Sequence, residues 1–441
     1  MSKTKKIKRI IFRVLLGLML LLFIAFVVIT APYWWRAWVT YPQLEKARLD
    51  IATRYQAPSN ISGIDSYQGV LHAHSYWSHD SRGQLNEILP AAKQAALDFI
   101  FFSDHPHGKL DTFPRSYHGT YDGIVMESGT EYSSGLMISP LQAGVLDWSV
   151  GEEALSQQVK EAGGFVGYVH SEDEHNWDSE HYQAMEIYNI HTDLLDEEKN
   201  FLTQLILNSM INGKKYRHWA YRELFDEQTA ILQHWDELNQ KRKIVGFAAV
   251  DAHNNQSFRA RYLPDGKVEW VGPNAKTMKI VDPGWKEKLL LGEPDAAGWA
   301  FKFEVDTYFH SFNFVNTHVF SDTLSSRNII DHILKGHAFI SFESLAAASG
   351  FQFVAQDGSQ NTIGIMGDSI AINQIAQLKA ISPYPVAFQL LRDGESMEKT
   401  EAAYDFIFKP NGQAGNYRLV ASLLLGDQWT PWVYTNPIYL Y

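Results

Sequence analysis

The sequence predicts an α/β protein of barrel type, preceded by a membrane helix and followed by a small all-β module. Three observations predict it. Apolar runs of strand length alternate with stretches of helical spacing from about residue 65 to 345, seven or eight times over, and such repeats favour a barrel over an open sheet. A nearly unbroken apolar stretch covers Ile10–Ala31. After about Phe342 the texture changes to short alternating strands with Gly, Asp and Asn turns, as in a sandwich. The expected divisions are 1–38 (basic flank and anchor), 39–64 (tether), 65–345 (barrel) and 346–441 (β-module).

The N-terminus carries Lys3, Lys5, Lys6, Lys8 and Arg9, then the apolar stretch interrupted by Arg13, then Tyr33, Trp34, Trp35 and Trp38. Positive flank, about 20 apolar residues and an aromatic belt are the order of a transmembrane helix. The positive-inside rule puts the N-terminus in the cytoplasm and the rest outside it. A cleaved signal peptide is the rival reading, and Ile29 before Thr30-Ala31 makes a poor cleavage site.

Residues 39–64 read as a polar helical tether, with Leu44, Ala47, Leu49 and Ile51 as a weak stripe. The alternation then begins. Gly69–His72 reads as a strand, and Leu85, Ile88, Leu89, Ala92, Ala95 and Ala96 recur at helical spacing. Asp98–Ser103 is the apolar run of a strand buried on both faces. Ile124–Glu127 with Thr130–Ser133, Phe165–Val169, Ala184–Tyr188 and Ile244–Val250 are further strands, and Gly151–Ala162 and Leu194 to about Arg242 are helical. From about Asn254 to Ser311 the pattern is lost, and a long, partly ordered lid is expected. Phe312–Phe320 resumes as a strand and Ile329–Lys335 as a helix. In the module the expected strands are Gly350–Ala355, Ala371–Ile381, Val386–Arg392, Ala403–Phe408 and Tyr417–Leu425.

Composition narrows the chemistry. The formal net charge is −12, which argues against a nucleic-acid-coating surface. There is no cysteine. Disulfides, thiolate metal sites and cysteine nucleophiles are therefore excluded, and any metal must be held by nitrogen and oxygen.

Those donors are present in order. His72-x-His74, His79-Asp80, Asp104-His105, Glu131, His170, Glu186 and Asp251-x-His253 occur along the chain, and each except His79-Asp80 follows an apolar strand. A lone His-x-His carries little, since about 0.7 such pairs arise by chance at this histidine content. Barrel strands share one rim at their C-termini, so the joint pattern gathers its residues there. His72 and His74 alternate across a strand and face one way, as do Asp251 and His253. Adjacent Asp104 and His105 cannot, so His105 is assigned as ligand and Asp104 as its partner or as a carboxylate that polarises the metal or moves protons. Glu131 has two oxygens with which to bridge two ions, and His170 is a further ligand.

The strings Leu71-His72-Ala73-His74-Ser75, Ser78-His79-Asp80-Ser81 and Asp98-Phe-Ile-Phe-Phe-Ser-Asp-His105 resemble the first motifs of the PHP family (polymerase and histidinol phosphatase). Gly129-Thr130-Glu131-Tyr132, Tyr168-Val169-His170-Ser171 and Val250-Asp251-Ala252-His253 resemble its later ones. The resemblance spans roughly 65–345 and implies a distorted (β/α)7 barrel with two or three divalent ions, Mn, Zn or Fe. It implies that His72, His74, Glu131 and Asp251 hold one ion, that Glu131 and His170 hold a second with one ligand unassigned, and that His79, His105 and His253 hold a third. Glu186 and Asn189, then His191, resemble a segment near the second ion in the carbaryl-hydrolase-like branch, and with Asp104 the carboxylate of Glu186 is the candidate catalytic group. Gly367-Asp368 and Pro431–Ile438 resemble that branch as well. The usual glycine after His79-Asp80 is displaced to Gly83, and the segments Leu194–Arg242 and Asn254–Ser311 are long, which sets this pocket apart.

Two such ions activate water for attack on a phosphoryl centre, with no side-chain nucleophile required. The expected function is a metal-dependent hydrolase acting outside the cytoplasm on a small ester, phosphorylated by preference, with Arg82, Lys109, Arg115, Arg259 and Arg261 as candidate phosphate-binding cations. One alternative keeps the site and changes the bond to a carboxylester, amide or carbamate. Another is a non-enzymatic envelope binding protein with structural metals. The module reads as a cover for one barrel face, with Trp429 and Trp432 in a core or interface rather than on a sugar platform.

Overall fold

The computed structural model describes residues 3–106, 113–132, 135–140, 146–190, 192–193 and 201–441. Lys109, Ser133, His191 and the start of the helical segment at Leu194 lie outside the described residues.

One large mixed sheet organises the chain. Its strands are β1 (Asp65–Ala73), β2 (Phe99–Phe101), β3 (Gly119–Tyr121), β4 (Ile124–Glu127), β5 (Thr130–Tyr132), β6 (Leu136–Ser139), β7 (Phe165–Tyr168), β8 (Ala184–Asn189) and β9 (Val245–Ala252). The pairings run β3-β4-β2-β1-β9-β8-β7-β6-β5, with the six strands from β4 to β7 mutually parallel and the outer pairings antiparallel. The N–H of Glu131 on β5 donates to the C=O of Ser103 beyond β2, at 3.0 Å. Leu71, Phe99, Val125, Met137, Phe165 and Phe247, from six different strands, pack in one apolar cluster. Gly69 leaves room for it, because a Cβ there would lie 2.4 Å from the Phe99 ring. The helix Ser326–Lys335 adds Ile329, Ile330 and Ile333 to the cluster. That helix starts on the Ser325 cap, whose side chain accepts the Asn328 N–H, and stops at Gly336 in the left-handed conformation.

Among the described residues, the segment after β8 contains the helices Phe201–Asn212, Arg217–Arg222 and Thr229–Lys241. The stretch expected as a partly ordered lid is instead a four-stranded antiparallel sheet. It contains β10 (Ser257–Tyr262), β11 (Val268–Val271), β12 (Thr277–Val281) and β13 (Phe301–Glu304), in the order β12-β11-β10-β13. Its strands are short and partly exposed, so they lack the apolar runs that mark the strands of the main sheet. The strand expected over Phe312–Phe320 begins later, as β14 (Asn316–Ser321), and Tyr308–Phe312 is helical.

The C-terminal region is all β. Its centre is one 16-residue strand, Gln377–Arg392, where two strands were expected. Pro383 and Pro385 fall between them and donate no N–H. At that point the register shifts, and the strand passes from pairing with Gln352–Gln356 to pairing with Gly415–Leu425. Strand Gln428–Thr435 pairs with β15 (Ala338–Ser341), which pairs with β14, so the module continues the main sheet. Trp432 is buried and donates its indole N–H to the Ala346 C=O, whereas Trp429 is exposed.

The helix Lys3–Trp35 is long and apolar enough to cross a membrane, and its apolar side chains from Ile7 to Ile29 are exposed to the surroundings. The tether is helical over Tyr41–Ala52 and docked onto the body of the protein. The Tyr41 hydroxyl donates to Glu223, and Glu45 accepts from the Trp219 indole and pairs with Arg48 and His218. Further along, the N–H groups of Ile61 and Ser62 donate to Gln352.

Candidate metal centre

The C-terminal ends of the parallel strands bring the imidazoles and carboxylates together. β1 ends in a bulge against β9, where Leu71 and Ala73 face Ala249 and Ala252. His72 sits in that bulge at φ +60°. His170 (φ +50°) and Asp251 (φ +41°) share this left-handed conformation. Strained non-glycine backbone of this kind costs about 1–3 kcal/mol per residue and concentrates at functional sites.

Glu131 is the centre of the arrangement. Its Oε2 lies 3.1 Å from His72 Nε2, 3.4 Å from His74 Nε2 and 3.4 Å from His105 Nε2, and its Oε1 lies 3.3 Å from His170 Nε2. Gly129 permits the approach of β5, because a Cβ there would lie 2.3 Å from the Ile138 carbonyl oxygen. Asp251 Oδ1 lies 3.1 Å from His72 Nε2, 3.2 Å from His74 Nε2 and 3.3 Å from His253 Nδ1. Asp251 Oδ2 is 4.0 Å from His170.

The donors fall into two overlapping groups. In each, one atom per residue lies within 4.8 Å of all the others: His72, His74, Glu131 and Asp251 in one, and His74, Asp80, His105 and His253 in the other. Asp80, part of the donor pair His79-Asp80 in which the resemblance gives the ligand role to His79, approaches His253 Nε2 at 3.0 Å and His105 Nε2 at 3.6 Å. The His79 ring stands beside that group, 5.1 Å from the His105 ring. His253 stacks on His74 at 3.9 Å.

Glu186 and Asp104 lie behind these donors. Glu186 Oε1 approaches His72 Nδ1 at 2.5 Å, and Oε2 accepts the His170 N–H and the Asn189 side-chain N–H, each at 2.8 Å. Asp104 is buried. It accepts the Ser75 N–H at 2.5 Å and the hydroxyls of Ser75 and Ser116 at 2.7 and 2.8 Å, which fixes the turn after His74. Glu172, 3.5 Å from His170 Nδ1, was missed. In sequence it sits in an acidic run, Glu172-Asp173-Glu174, that reads as solvated loop.

Electrostatics tie the cluster together. Burial alone raises a carboxyl, yet the charge of His72 and its neighbours holds Glu131 and Asp251 well below the usual carboxylate range. Burial also lowers an imidazole, yet Asp251, Glu186 and Glu131 hold His72 well above its ordinary value. His105 goes the other way, to about 4, through burial and the charge of His74. The donor set fits divalent cations. It offers imidazole nitrogens and anionic oxygens in contact, buried, with a demand for positive charge that protons otherwise meet.

Asp80, His105, Glu131, His170, Asp251 and His253 face a cavity of about 690 Å³. Of the cations expected to bind phosphate, Arg259 is buried against Glu304 and Glu87, Arg261 pairs with Glu269, and Arg82 donates to the Ala275 carbonyl. Lys276 lines the cavity instead.

No family model matches the chain, and no curated protein does. Among solved structures, the chain is similar to a two-domain protein from Bacteroides vulgatus ATCC 8482 described as containing a predicted PHP-like metal-dependent phosphoesterase. The identity is 11%, the match covers 87% of this chain and 98% of that one, and the TM-score is 0.37.

Proposed function

We propose that this chain is a metal-dependent hydrolase of PHP type, acting on phosphoesters. The observation that carries the reading is the position of Glu131, one oxygen toward His72, His74 and His105 and the other toward His170. A single carboxylate with imidazoles on both sides is suited to span two cations. His72, His74, Glu131 and Asp251 would hold one ion. His74, Asp80, His105 and His253 supply donors for another, and His170 with Glu131 for a third. Divalent ions bound there supply Lewis acidity toward water and toward a phosphoryl oxygen. The chain's own part is orientation. Glu186 accepts from His72 Nδ1 and so turns Nε2 toward the cluster, and Asp104 holds the Ser75 turn that carries His74.

The distorted barrel belongs to this reading. Its supports are the run of six parallel strands, the return of β5 to the end of β2, and the apolar cluster to which strand after strand contributes. The membrane anchor with the catalytic region outside the cytoplasm also belongs to it, supported by the basic flank and the exposed apolar helix.

A second reading keeps the centre and changes the bond to a carboxylester, amide or carbamate, and it is favoured by the cavity lining, which among the described residues has Lys276 as its lysine or arginine. The test is metal content of the purified protein, with hydrolysis of bis(p-nitrophenyl) phosphate set against p-nitrophenyl acetate in added Mn. Preference for the phosphodiester, lost in His74→Ala with the fold retained, supports the proposal. Preference for the acetate replaces it with the second reading.

A further inference from the structure

The cavity in front of the centre has a mixed lining. Beyond the histidines and carboxylates of the centre, Asn255, Gln256, Asn274, Lys276 and Asp306 add polar groups, and Ile190, Leu205, Ile206, Leu224, Phe258 and Phe303 supply an apolar wall. A small hydrophilic phosphoester has no use for such a wall, whereas an apolar chain does.

The wall stands next to the anchor. Leu205 and Ile206 belong to the helix Phe201–Asn212, and this helix holds the end of the N-terminal apolar helix. Asn212 donates to the Tyr33 carbonyl at 3.1 Å and Asn208 to the Tyr41 hydroxyl at 2.6 Å. Arg36 pairs with Glu223 at 2.8 Å. One helix, roughly 10 Å across, therefore separates the cavity from the anchor. Trp34, Trp35 and Trp38, at the same level, are exposed, as residues of a membrane interface are.

A second apolar surface adjoins the same wall. Phe258 and Phe303 come from the β10–β13 sheet. The outer strand of that sheet and the helix Trp285–Leu290 after it expose Met278, Ile280, Trp285, Leu289 and Leu290, each more than half accessible. So many large apolar side chains in one short segment mark a contact with protein or membrane.

We propose that the substrate is a membrane lipid phosphoester, its phosphoryl group at the histidine–carboxylate cluster and its alkyl or acyl chain along the Leu205, Ile206 and Phe258 wall. The inference rests on the function proposed above. In the reaction the oxygen of water bonds to phosphorus, the phosphorus–oxygen bond to the leaving alcohol breaks, and that alcohol takes up a proton.

The experiment uses the full chain in detergent micelles with Mn and two diesters sharing one leaving group, octyl and methyl p-nitrophenyl phosphate. The octyl ester is expected to show kcat/KM higher by about tenfold or more, the scale on which apolar pockets discriminate. In the double variant Ile206→Ser, Phe258→Ser that ratio falls toward one, although partition into the micelle is unchanged. Binding gives a readout independent of turnover: octylphosphonate should bind the wild-type chain at least tenfold tighter than methylphosphonate. Equal hydrolysis of the two diesters, or equal binding of the two phosphonates, overturns the lipid proposal and leaves the phosphoesterase reading standing. Hydrolysis of p-nitrophenyl acetate with neither diester cleaved overturns both.

Discussion

Glu186 Oε1 lies 2.5 Å from His72 Nδ1, and the other oxygen of the same carboxylate accepts two N–H groups. All the partners of Glu186 are donors, so the site has no place for an amide NH2. Glu186→Gln therefore puts a donor against a donor and frees the His72 ring to turn. Loss of such a carboxylate behind a metal-binding imidazole costs about 10–100-fold in metal affinity. Metal titration of the variant checks this, with the melting temperature as a control for the fold. Unchanged affinity would show that the His72 ring is held by other contacts.

The pH dependence of metal uptake follows from the same crowding. Burial lowers His74 and His170, but hydrogen bonds donated to Asp251 and Glu131 raise His74 to about 9, and those donated to Glu131 and Glu172 raise His170 to about 11. Both shifts are upward, so the proton is bound at neutral pH and leaves only as pH rises. An ion must displace it. Metal affinity is thus expected to climb with pH through the neutral range, with protons released on binding. Calorimetry in two buffers of different ionisation enthalpy counts those protons, and a count of zero would sink the expectation.

Asp80 and His79 are adjacent in sequence but unequal in the structure. Asp80 faces His253 and His105, while the His79 ring lies beside the group. Although burial raises the Asp80 carboxyl, the hydrogen bond and charge of His253 hold it below the usual range. Asp80→Asn is expected to lower the number of bound ions per chain, and His79→Ala to lower it less. Metal analysis of the two variants decides between them, and the reverse order would return the ligand role to His79.

Most of the candidate donors were legible because they end apolar strands. The period-2 spacing of His72 and His74, and of Asp251 and His253, marked them without any coordinates. Two kinds of residue were less legible. Asp80 was marked only as part of the pair His79-Asp80, with the ligand role given to His79, and Glu172 follows no apolar strand, so nothing in its neighbours distinguishes it from loop polarity. Glu186 and Asp104 were legible as polar tips, but whether a carboxylate faces a cation or a backbone N–H depends on which strands lie beside it, and pairing between distant strands is not written in local pattern. The β10–β13 sheet escaped for a related reason. Its strands lie partly open to solvent, so they lack the contrast between faces on which the period-2 signal depends. The long strand through Pro383 and Pro385 reads as two because proline interrupts the ladder, though not the chain direction.

Asp104 offers a test of role through stability. Its carboxylate takes three donors from Ser75 and Ser116, all buried. Asp104→Ala strands them, at about 1–3 kcal/mol for each buried group left unsatisfied. Urea denaturation of the metal-free protein is expected to show a loss on the order of 3 kcal/mol or more. A variant of unchanged stability but lost turnover would instead make Asp104 a participant in proton transfer.

The C-terminal module is fastened to the main body by a buried ion pair. Arg418, on the strand Gly415–Leu425, donates two hydrogen bonds of 2.6 Å to Asp236, on the helix Thr229–Lys241. Both residues are buried. Asn436 adds a reciprocal pair with the backbone of Gly246 on β9, at 2.8 and 2.9 Å. Removing one partner of a buried pair leaves an uncompensated charge and costs about 3–5 kcal/mol, whereas replacing both with apolar residues of similar volume is often neutral. Arg418→Met is therefore expected to be strongly destabilising, and Arg418→Met with Asp236→Leu to recover most of the loss. A module that serves as a cover predicts that stability and turnover of the centre fall and recover together across this cycle, because β9 carries Asp251 and is held from behind by Asn436 of the module this pair fastens. If the single variant unfolds the module while metal binding and turnover persist, the module has a separate task and β9 is held by the main sheet alone.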